Sequence, residues 1–318
     1  MAASVDGQEY IVRPARSVED ASSLWWPLMK VLGWNRDHND AQTHYHVARK
    51  GADWLLLTSR DTQKPQGCVV AFTYPNGTGW VGFFIVSEAL RGKGLGRFLW
   101  NGMDASFKAS GTTIIGLDGV LEQVKTYERR GFVDVARIPV LSRPSLKQKP
   151  LVKDLEVTPS AGENIEDIRS IDTRLLAQLD FANTGLDRSA LWTEEALFSR
   201  NDAFGYALLS ADKNLLGYVL VRRCEHGHRF GPLYADTYEQ AQLLLHIAMN
   251  KILQSEGSMA AEILGSNPSG LRVFEELGWE HTGVEYHRMW LGGRVPEEQQ
   301  KGGKGTRGMF AIFDASQG

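Results

Sequence analysis

Apolar residues recur along the first part of the chain with periods that alternate between strand and helix. In the helical stretch 94–110 they stand three and four residues apart, so one face is apolar and would cover a sheet. That face carries Leu95, Phe98, Leu99, Met103 and Phe107. Similar patterns predict helices over 18–32, 41–48 and 120–130, and strands over 10–13, 54–59, 67–74, 80–86, 113–117 and 132–138. This order predicts a mixed α/β fold.

The rest of the chain repeats this order faintly, at offsets of 145 to 150 residues. An aromatic-Glu-x-x-Gly-aromatic sequence occurs at 127–132 and again at 274–279, which predicts a short helix closed by glycine in both places. Three further pairs of segments align. The opening strand at 10–14 matches 155–159, the hairpin at 54–70 matches 206–220, and the later strand at 113–117 matches 259–264. We therefore predict one fold used twice.

A polar segment with prolines at 144 and 150 separates the two copies. It places the domains at 1–146 and 147–318, hereafter the first half and the second half. A second polar stretch, 296–308, is rich in glycine and is predicted to form a mobile, solvated loop. The apolar run 309–313 is predicted to return as a strand to the sheet of the second half.

Composition narrows the class of protein. The chain has 318 residues, 42% of them hydrophobic, which suffices for two cores. Its net charge of -3 gives no reason to expect nucleic acid or an anionic membrane as a partner. The two cysteines, Cys68 and Cys224, cannot build a disulfide framework, and neither a signal-peptide pattern nor a bilayer-length apolar run occurs. We therefore expect a cytoplasmic protein.

The segment 83–97 carries the most specific chemistry of the sequence. An apolar strand ends at Val86, and a basic, glycine-rich turn then opens the amphipathic helix. Free backbone N–H groups and the positive end of the helix dipole would face one point there. Glycines would let a bulky phosphate approach the main chain. The predicted pyrophosphate site comprises Arg91, Gly92, Lys93, Gly94, Leu95, Gly96 and Arg97.

Spacing excludes two common phosphate loops. A dinucleotide fingerprint requires glycine where Arg97 stands, and a Walker loop requires Ser or Thr where Gly94 follows the lysine. The pattern that remains is Gln/Arg-x-x-Gly-x-Gly/Ala, filled by Arg91, Gly94 and Gly96. The alternative is an ordinary glycine-rich turn with solvent-facing charges.

The segments 83–107 and 113–132 resemble motifs A and B of the GNAT superfamily of acetyl-CoA-dependent N-acyltransferases. The amino-acid sequence from 115 to 127 is most similar to the YitH-type branch, whose members carry a second GNAT-like domain at the C-terminus. The resemblance implies tandem GNAT-like domains with acetyl-CoA as co-substrate. It also implies that the backbone of Phe84, Ile85 and Val86 pairs with the pantetheine arm.

Acyl transfer to an amine needs an acceptor for the amine proton, an oxyanion donor and an acid for the leaving thiolate. The resemblance implies that Tyr127 is the acid; the alternative is a packed aromatic on a short helix. Asp118 could act as the base or orient the amine, or it could cap the helix that begins near residue 120. The oxyanion donor of the family, a backbone N–H, would fall at 84–86.

The resemblance also implies that the first two helices wall the acceptor cleft, where aromatic and acidic residues would suit a cationic or aromatic amine. The candidates are Trp34, Asp40 and His44. The His-x-His pairs at 44–46 and 226–228 lack a third ligand at suitable spacing, so no metal site is predicted.

The second half lacks the phosphate loop. Residues 235–240 contain no glycine or basic residue and carry two acids, which would repel pyrophosphate. We therefore predict one acetyl-CoA site, in the first half. The second copy is predicted to be degenerate and to serve as a scaffold or a pocket wall. The protein is expected to be a monomer or a homodimer. The predicted function is direct acetyl transfer to a small-molecule amine. The alternatives are acetylation of a protein lysine or N-terminus, and a non-catalytic acyl-CoA-binding regulatory module.

Overall fold

Strands from both halves join in one mixed sheet in the computed structural model, which describes residues 2–5, 7–151 and 157–318. The first half supplies strands β1 (Ala2–Val5), β2 (Gln8–Pro14), β3 (Trp54–Ser59), β4 (Pro65–Thr73), β5 (Thr78–Val86), β6 (Ile114–Val120) and β7 (Phe132–Arg143), and helices α1 (Val18–Leu32), α2 (Asp40–Val47), α3 (Leu95–Ala109) and α4 (Val124–Glu128). The second half supplies β8 (Asn164–Asp167), β9 (Ala203–Leu209), β10 (Leu215–Cys224), β11 (Gly227–Ala235), β12 (Ser258–Glu262), β13 (Glu280–Leu291) and β14 (Met309–Ala311), and α5 (Thr173–Thr184), α6 (Tyr238–Lys251), α7 (Pro268–Glu275) and α8 (Gly305–Gly308).

The predicted order of elements in the first half is confirmed, with shifted ends. The additional strand β1 was not predicted, because its small residues have weak strand propensity. The predicted strand at 155–159 is wrong for 157–159, which lie in no strand, and 155–156 lie outside the described residues. Pro159 cannot donate to a ladder and Gly162 turns the chain with a φ of 85°, so the sheet of the second half begins only at β8.

The apolar stripe of α3 packs on the sheet as predicted. Leu95, Leu99, Met103 and Phe107 are buried in a cluster with residues of β3 to β6. Because this stripe fixes the rotation of the helix, the first turn of α3 is held beside the end of β5.

Each half places one long strand in the sheet of the other. β13 lies between β6 and β7, and β7 lies between β13 and β12. Arg288 of β13 stands opposite Asp118 of β6, and Arg143 of β7 stands opposite Met259 of β12. A boundary at residue 147 therefore divides the sequence but not the sheet.

Two polar segments pack against the second half. In the connection between the halves, Arg143 Nε donates to the Leu277 carbonyl at 2.8 Å, and Leu146 is buried. In the stretch 296–308, Gln299 is also buried; its Nε2 donates to the Thr184 carbonyl at 2.7 Å. Its Oε1 accepts from Arg288 Nη1 at 2.9 Å. The prediction of a solvated loop is wrong, because this glutamine joins a buried cation to the end of α5.

The run after residue 308 returns to the sheet of the second half, as predicted. β11 pairs with β12 only as far as Phe230, and beyond that point Leu233 and Tyr234 pair with β14. The Ile312 N–H then donates to the Glu262 carbonyl at the end of β12. β14 thus fills the space where β11 and β12 diverge, and residues 313–318 continue into the first half.

Of the helices in the described ranges, none is long and apolar enough to cross a bilayer. The same residues bring no three His, Cys, Asp or Glu side chains together at a distance that could hold a metal ion. Both cysteines are buried free thiols.

Candidate active site

The sheet of the first half opens between β5 and β6. These parallel strands pair only from Thr78 to Trp80, and beyond Trp80 no described strand pairs with that edge of β5. On the other edge, a bulge takes Phe83 and Phe84 out of the ladder with β4, although the Phe83 carbonyl accepts from Cys68 Sγ at 3.5 Å. Phe83 has a φ of 51°, a strained value for a bulky residue. The bulge bends β5 and leaves main-chain groups available to a ligand.

A cleft of about 480 Å³ occupies this opening. One end reaches the loop before α3, the middle runs between β5 and β6, and the far end meets the end of α1, β13 and the segment after β14. Its loop end and middle are lined by Phe84, Ile85, Val86, Arg91, Gly92, Gly96, Leu117, Asp118, Gly119, Val120, Gln123 and Tyr127. Its far end is lined by Leu32, Trp34, Arg36, Phe83, Tyr286, Ala315 and Ser316.

The loop before α3 forms an open cradle. Gly92 and Gly94 have φ values of 77° and 83°, and a Cβ on either would meet no atom within 4 Å. Gly94 begins the helix without a side-chain cap, and the first turn holds no acid. The N–H groups of Leu95 and Gly96 therefore remain available, while the Arg97 N–H donates to the Gly94 carbonyl at 3.0 Å. Arg91 is fixed beside them, since its Nε donates to the Val86 carbonyl at 3.1 Å. This geometry fits an anion such as pyrophosphate.

Six of the ten residues predicted to bind the cofactor line the cleft: Phe84, Ile85, Val86, Arg91, Gly92 and Gly96. The other four belong to the cradle or the first turn of α3. Leu95 is buried in the core, so only its backbone can face a ligand. The side chains of Lys93 and Arg97 are exposed beside the cradle, where their charge favours a phosphate.

Tyr127 faces the cleft from α4. Its ring lies against Gly119, where a Cβ would come within 2.9 Å of Cε2. Trp100 and Phe132 lie at centroid distances of 6.1 and 6.2 Å from the same ring. Burial raises the pKa of Tyr127 to about 12, against the opposing charge of Arg130. At neutral pH the hydroxyl is therefore protonated and able to donate.

Asp118 is held in an ion pair between the halves. Its side chain is fully buried; Oδ1 accepts from Arg288 Nε at 2.9 Å and Oδ2 accepts from Nη2 at 2.7 Å. Burial raises the pKa of Asp118, although Arg288 opposes the shift. The alternative that it caps a helix is wrong, since it lies within β6. Because one guanidinium occupies both oxygens, the geometry also argues against Asp118 as the base.

Of the three predicted acceptor residues, Trp34 lines the cleft and Asp40 does not. Asp40 is fully buried and accepts from Arg200 Nη1 at 2.7 Å and from Arg222 Nη1 at 3.4 Å. Burial alone would raise the pKa of Asp40, but the two guanidinium groups hold it well below its usual range. The predicted contact between Asp40 and the acceptor is therefore not present, because a buried network between the halves occupies its carboxylate.

His44 also lies behind the wall of the cleft. Its ring packs edge-on against Phe83 at a centroid distance of 4.9 Å, and its Nδ1 is 3.0 Å from Gln317 Nε2. Burial lowers the pKa of His44 to about 4 in spite of the nearby Asp314 carboxylate. His44 is thus a neutral packing residue, and Phe83 lies between it and the cleft.

Sequence reasoning allowed for a pocket wall from the second half but did not identify the residues that form it. Tyr286 comes from β13, and Ala315 and Ser316 come from the segment after β14. Ala315 is clamped from both halves: its N–H donates to Glu262 Oε2 at 2.6 Å, and its carbonyl accepts from Trp80 Nε1 at 2.9 Å. No local motif signals this wall, because Trp80 and Ala315 are 235 residues apart.

The corresponding opening in the second half is filled by its own chain. β14 pairs with β11 where the cleft would lie. α6 begins with a capping box, in which Thr237 and Gln240 satisfy each other's backbone N–H groups. In the aligned sequence Phe274 stands where the first half has Tyr127. Two N–H groups at the start of α6 are thus bonded within the protein.

Two family models match the chain, one in each half. An acetyltransferase (GNAT) family model matches residues 18–132, and an acetyltransferase (GNAT) domain model matches residues 176–302. A curated relative, the holothin acyltransferase of Pseudoalteromonas sp. (strain SANK 73390), is 25% identical over 224 residues, which are 70% of this chain and 68% of that protein.

Solved structures of similar fold span nearly the whole chain. A putative acetyltransferase from Pyrococcus horikoshii has a TM-score of 0.74 at 19% identity and covers 99% of this chain and 98% of its own. A tandem GNAT protein from the clavulanic acid biosynthesis pathway has a TM-score of 0.63 at 14% identity and covers 88% of this chain and 98% of its own. With both halves matched by family models and the tandem fold shared, this chain belongs to the GNAT superfamily of acyltransferases and carries two GNAT domains.

Proposed function

We propose that the first half binds acetyl-CoA and transfers its acetyl group directly to the amine of a small molecule. The observation that carries this proposal is that the open cradle of α3 and the Tyr127 side chain face one continuous cleft. The similarity to an enzyme named holothin acyltransferase supports a small-molecule acceptor. The acceptor would enter at the far end of the cleft, opposite the cradle.

The residues of the cleft can supply what acyl transfer requires. The cradle would hold the pyrophosphate, and the unpaired edge of β5 beyond Trp80 would pair with the pantetheine arm. The amine nitrogen attacks the thioester carbonyl carbon; a C–N bond forms, and the C–S bond then breaks. Backbone N–H groups at the bulge would stabilise the oxyanion. Tyr127 would give its proton to the sulfur and would regain one from water in the cleft. Because Arg288 occupies Asp118, we assign the amine proton to water in the cleft.

We further propose that the second half has no acyl-CoA site of its own and serves as scaffold and acceptor wall. Its opening holds β14, and its α6 N-terminus is capped by its own side chains. Its contribution to the active cleft is Tyr286, Ala315 and Ser316.

The test is a thiol-release assay with purified protein, acetyl-CoA and a panel of primary amines. We expect thiol release that depends on a low-molecular-weight amine, with the acetylated amine identified by mass spectrometry. Radiolabelled acetyl-CoA in a cell extract separates the alternative acceptor, since label recovered only in protein would mean a protein acetyltransferase. The absence of thiol release with every amine would refute the proposal.

Gly94→Ala is expected to weaken acetyl-CoA binding by about 10-fold to 100-fold, the effect of losing one or two hydrogen bonds to a charged group. The residue has a φ of 83° and an open Cβ position, so alanine would strain the loop and fill the cradle. Affinity is measured by calorimetry. Gly111→Ala is the matched control, because Gly111 has a φ of 69°, an equally open Cβ position and a place at the other end of α3. Equal loss of affinity in both variants would contradict the assignment of the cradle.

A further inference from the structure

The far end of the cleft offers flat apolar surfaces to an acceptor. Trp34 packs near Phe83, with ring centroids 6.5 Å apart and planes inclined by 32°. Leu32 is 37% exposed at the rim, and Tyr286 contributes a further ring from β13. Aromatic surfaces arranged in this way favour a planar, apolar ligand body.

No carboxylate of the cleft is available to bind a cation. Among the described residues that line it, Asp118 is the only acid, and Arg288 occupies both of its oxygens. Asp40 and Asp314 lie behind the wall and are paired with buried arginines. A positively charged group at this end would lose hydration without gaining a carboxylate partner.

Arg36 is the charged side chain at the far end. It is 4% exposed, and its Nη1 lies 2.7 Å from Asp314 Oδ2. In the described part of the chain its Nε has no hydrogen-bond partner. Asp314 is shared with Arg222, whose Nη1 lies 3.4 Å away. The guanidinium of Arg36 therefore retains positive charge and donor capacity, and an unpartnered buried donor favours a ligand that supplies an acceptor atom.

From these features we propose that the acceptor is an amine that carries an aromatic ring and no second positive charge, and whose carbonyl or carboxylate oxygen accepts from Arg36. The inference rests on the proposed acetyl transfer and narrows its substrate class. The ring would lie against Trp34 and Phe83, with the amine toward β5 and the oxygen toward Arg36. Polyamines and basic peptides would bring a second cation to a site that already holds a guanidinium.

Three acceptors of one shape test the inference on the unaltered protein. 4-(Aminomethyl)benzoate, 4-(aminomethyl)benzamide and 4-(aminomethyl)benzylamine present the same attacking group on the same ring, opposite a carboxylate, a carboxamide and a second aminomethyl group. The kcat/KM of the diamine is halved before comparison, because it carries two equivalent amines. We measure kcat/KM by thiol release from acetyl-CoA. The benzoate and the benzamide are expected to exceed the diamine by about tenfold or more. A diamine that reacts as well as either of them would overturn the inference.

Two variants test which residues cause the difference in kcat/KM between the acceptors. Arg36→Lys keeps the charge but removes the planar fork, so KM for the benzoate is expected to rise by about tenfold relative to KM for the diamine. Trp34→Leu leaves the ion pair between Arg36 and Asp314 in place and is expected to raise KM for all three acceptors. An unchanged KM for the benzoate in Arg36→Lys would overturn the role of Arg36.

Acetyl-CoA binding is measured separately by calorimetry, so that the two proposals can fail separately. If acetyl-CoA does not bind and no amine releases thiol, acetyl transfer itself is refuted and the inference falls with it. If amines react but the diamine is preferred, acetyl transfer stands and the inference alone is refuted.

Discussion

Replacement of Tyr127 by phenylalanine is expected to lower kcat by about 10²-fold to 10⁴-fold, the usual contribution of a general acid. The ring contacts with Gly119, Trp100 and Phe132 remain in the variant, so affinity for acetyl-CoA and stability are expected to stay at wild-type values. The measurements are kcat at saturating acetyl-CoA and amine, and the dissociation constant by calorimetry.

The pH dependence checks the same residue independently. An acid catalyst acts in its protonated form, and burial raises the pKa of Tyr127 to about 12, so its active form persists well above neutral pH. We therefore expect no fall of kcat as the pH is raised from neutrality toward 10. A fall near pH 8 that disappears in Tyr127→Phe would contradict the assignment. Tyr238→Phe is the control for loss of a hydroxyl, since Tyr238 bonds to Glu276 in the second half, away from the cleft.

Asp118→Asn is expected to lower the free energy of unfolding by about 3–5 kcal/mol, the cost of leaving one partner of a buried ion pair without the other. Asp118 and Arg288 are both buried and bond through two N–H···O contacts. The amide group would turn a donor toward the guanidinium. The measurement is urea unfolding followed by tryptophan fluorescence.

A double variant, Asp118→Leu with Arg288→Met, provides the control. It removes both charges and replaces them with apolar side chains, so it is expected to recover most of the stability that Asp118→Asn loses. If Asp118→Asn instead kept full stability and lost only turnover, Asp118 would be the base that the sequence suggested, and the structural reading of the ion pair would be wrong.

The elements of the first half and its cradle could be predicted because their signals are local. The stripe on α3 and the glycines at 92 and 94 lie within one segment of 20 residues or so, and helix–dipole chemistry depends only on that segment. The exchange of β7 and β13 could not be predicted. It depends on pairing between Arg288 and Asp118, which are 170 residues apart, and no periodicity specifies a partner at that distance.

The residues near the acceptor were difficult to predict for a different reason. Asp40 and His44 have suitable side chains on suitable helices, but burial decides their role, and Arg222 and Gln317 of the second half bury them. A small residue such as Ala315 gives no chemical signal in the sequence at all. Its importance comes from the backbone bonds that hold it in the cleft.

The clamp on Ala315 has a consequence for the synthesis of the protein. Since Trp80 and Ala315 are joined across 235 residues, the ribosome must have made residue 315 before the far wall of the cleft can form. A nascent chain that ends after the first half carries the phosphate-loop motif and Tyr127, yet it lacks strand β13 and this wall. Such long-range contacts also slow folding. Chains released early are therefore expected to lack a complete acceptor wall and, on the proposed function, to be inert toward amines.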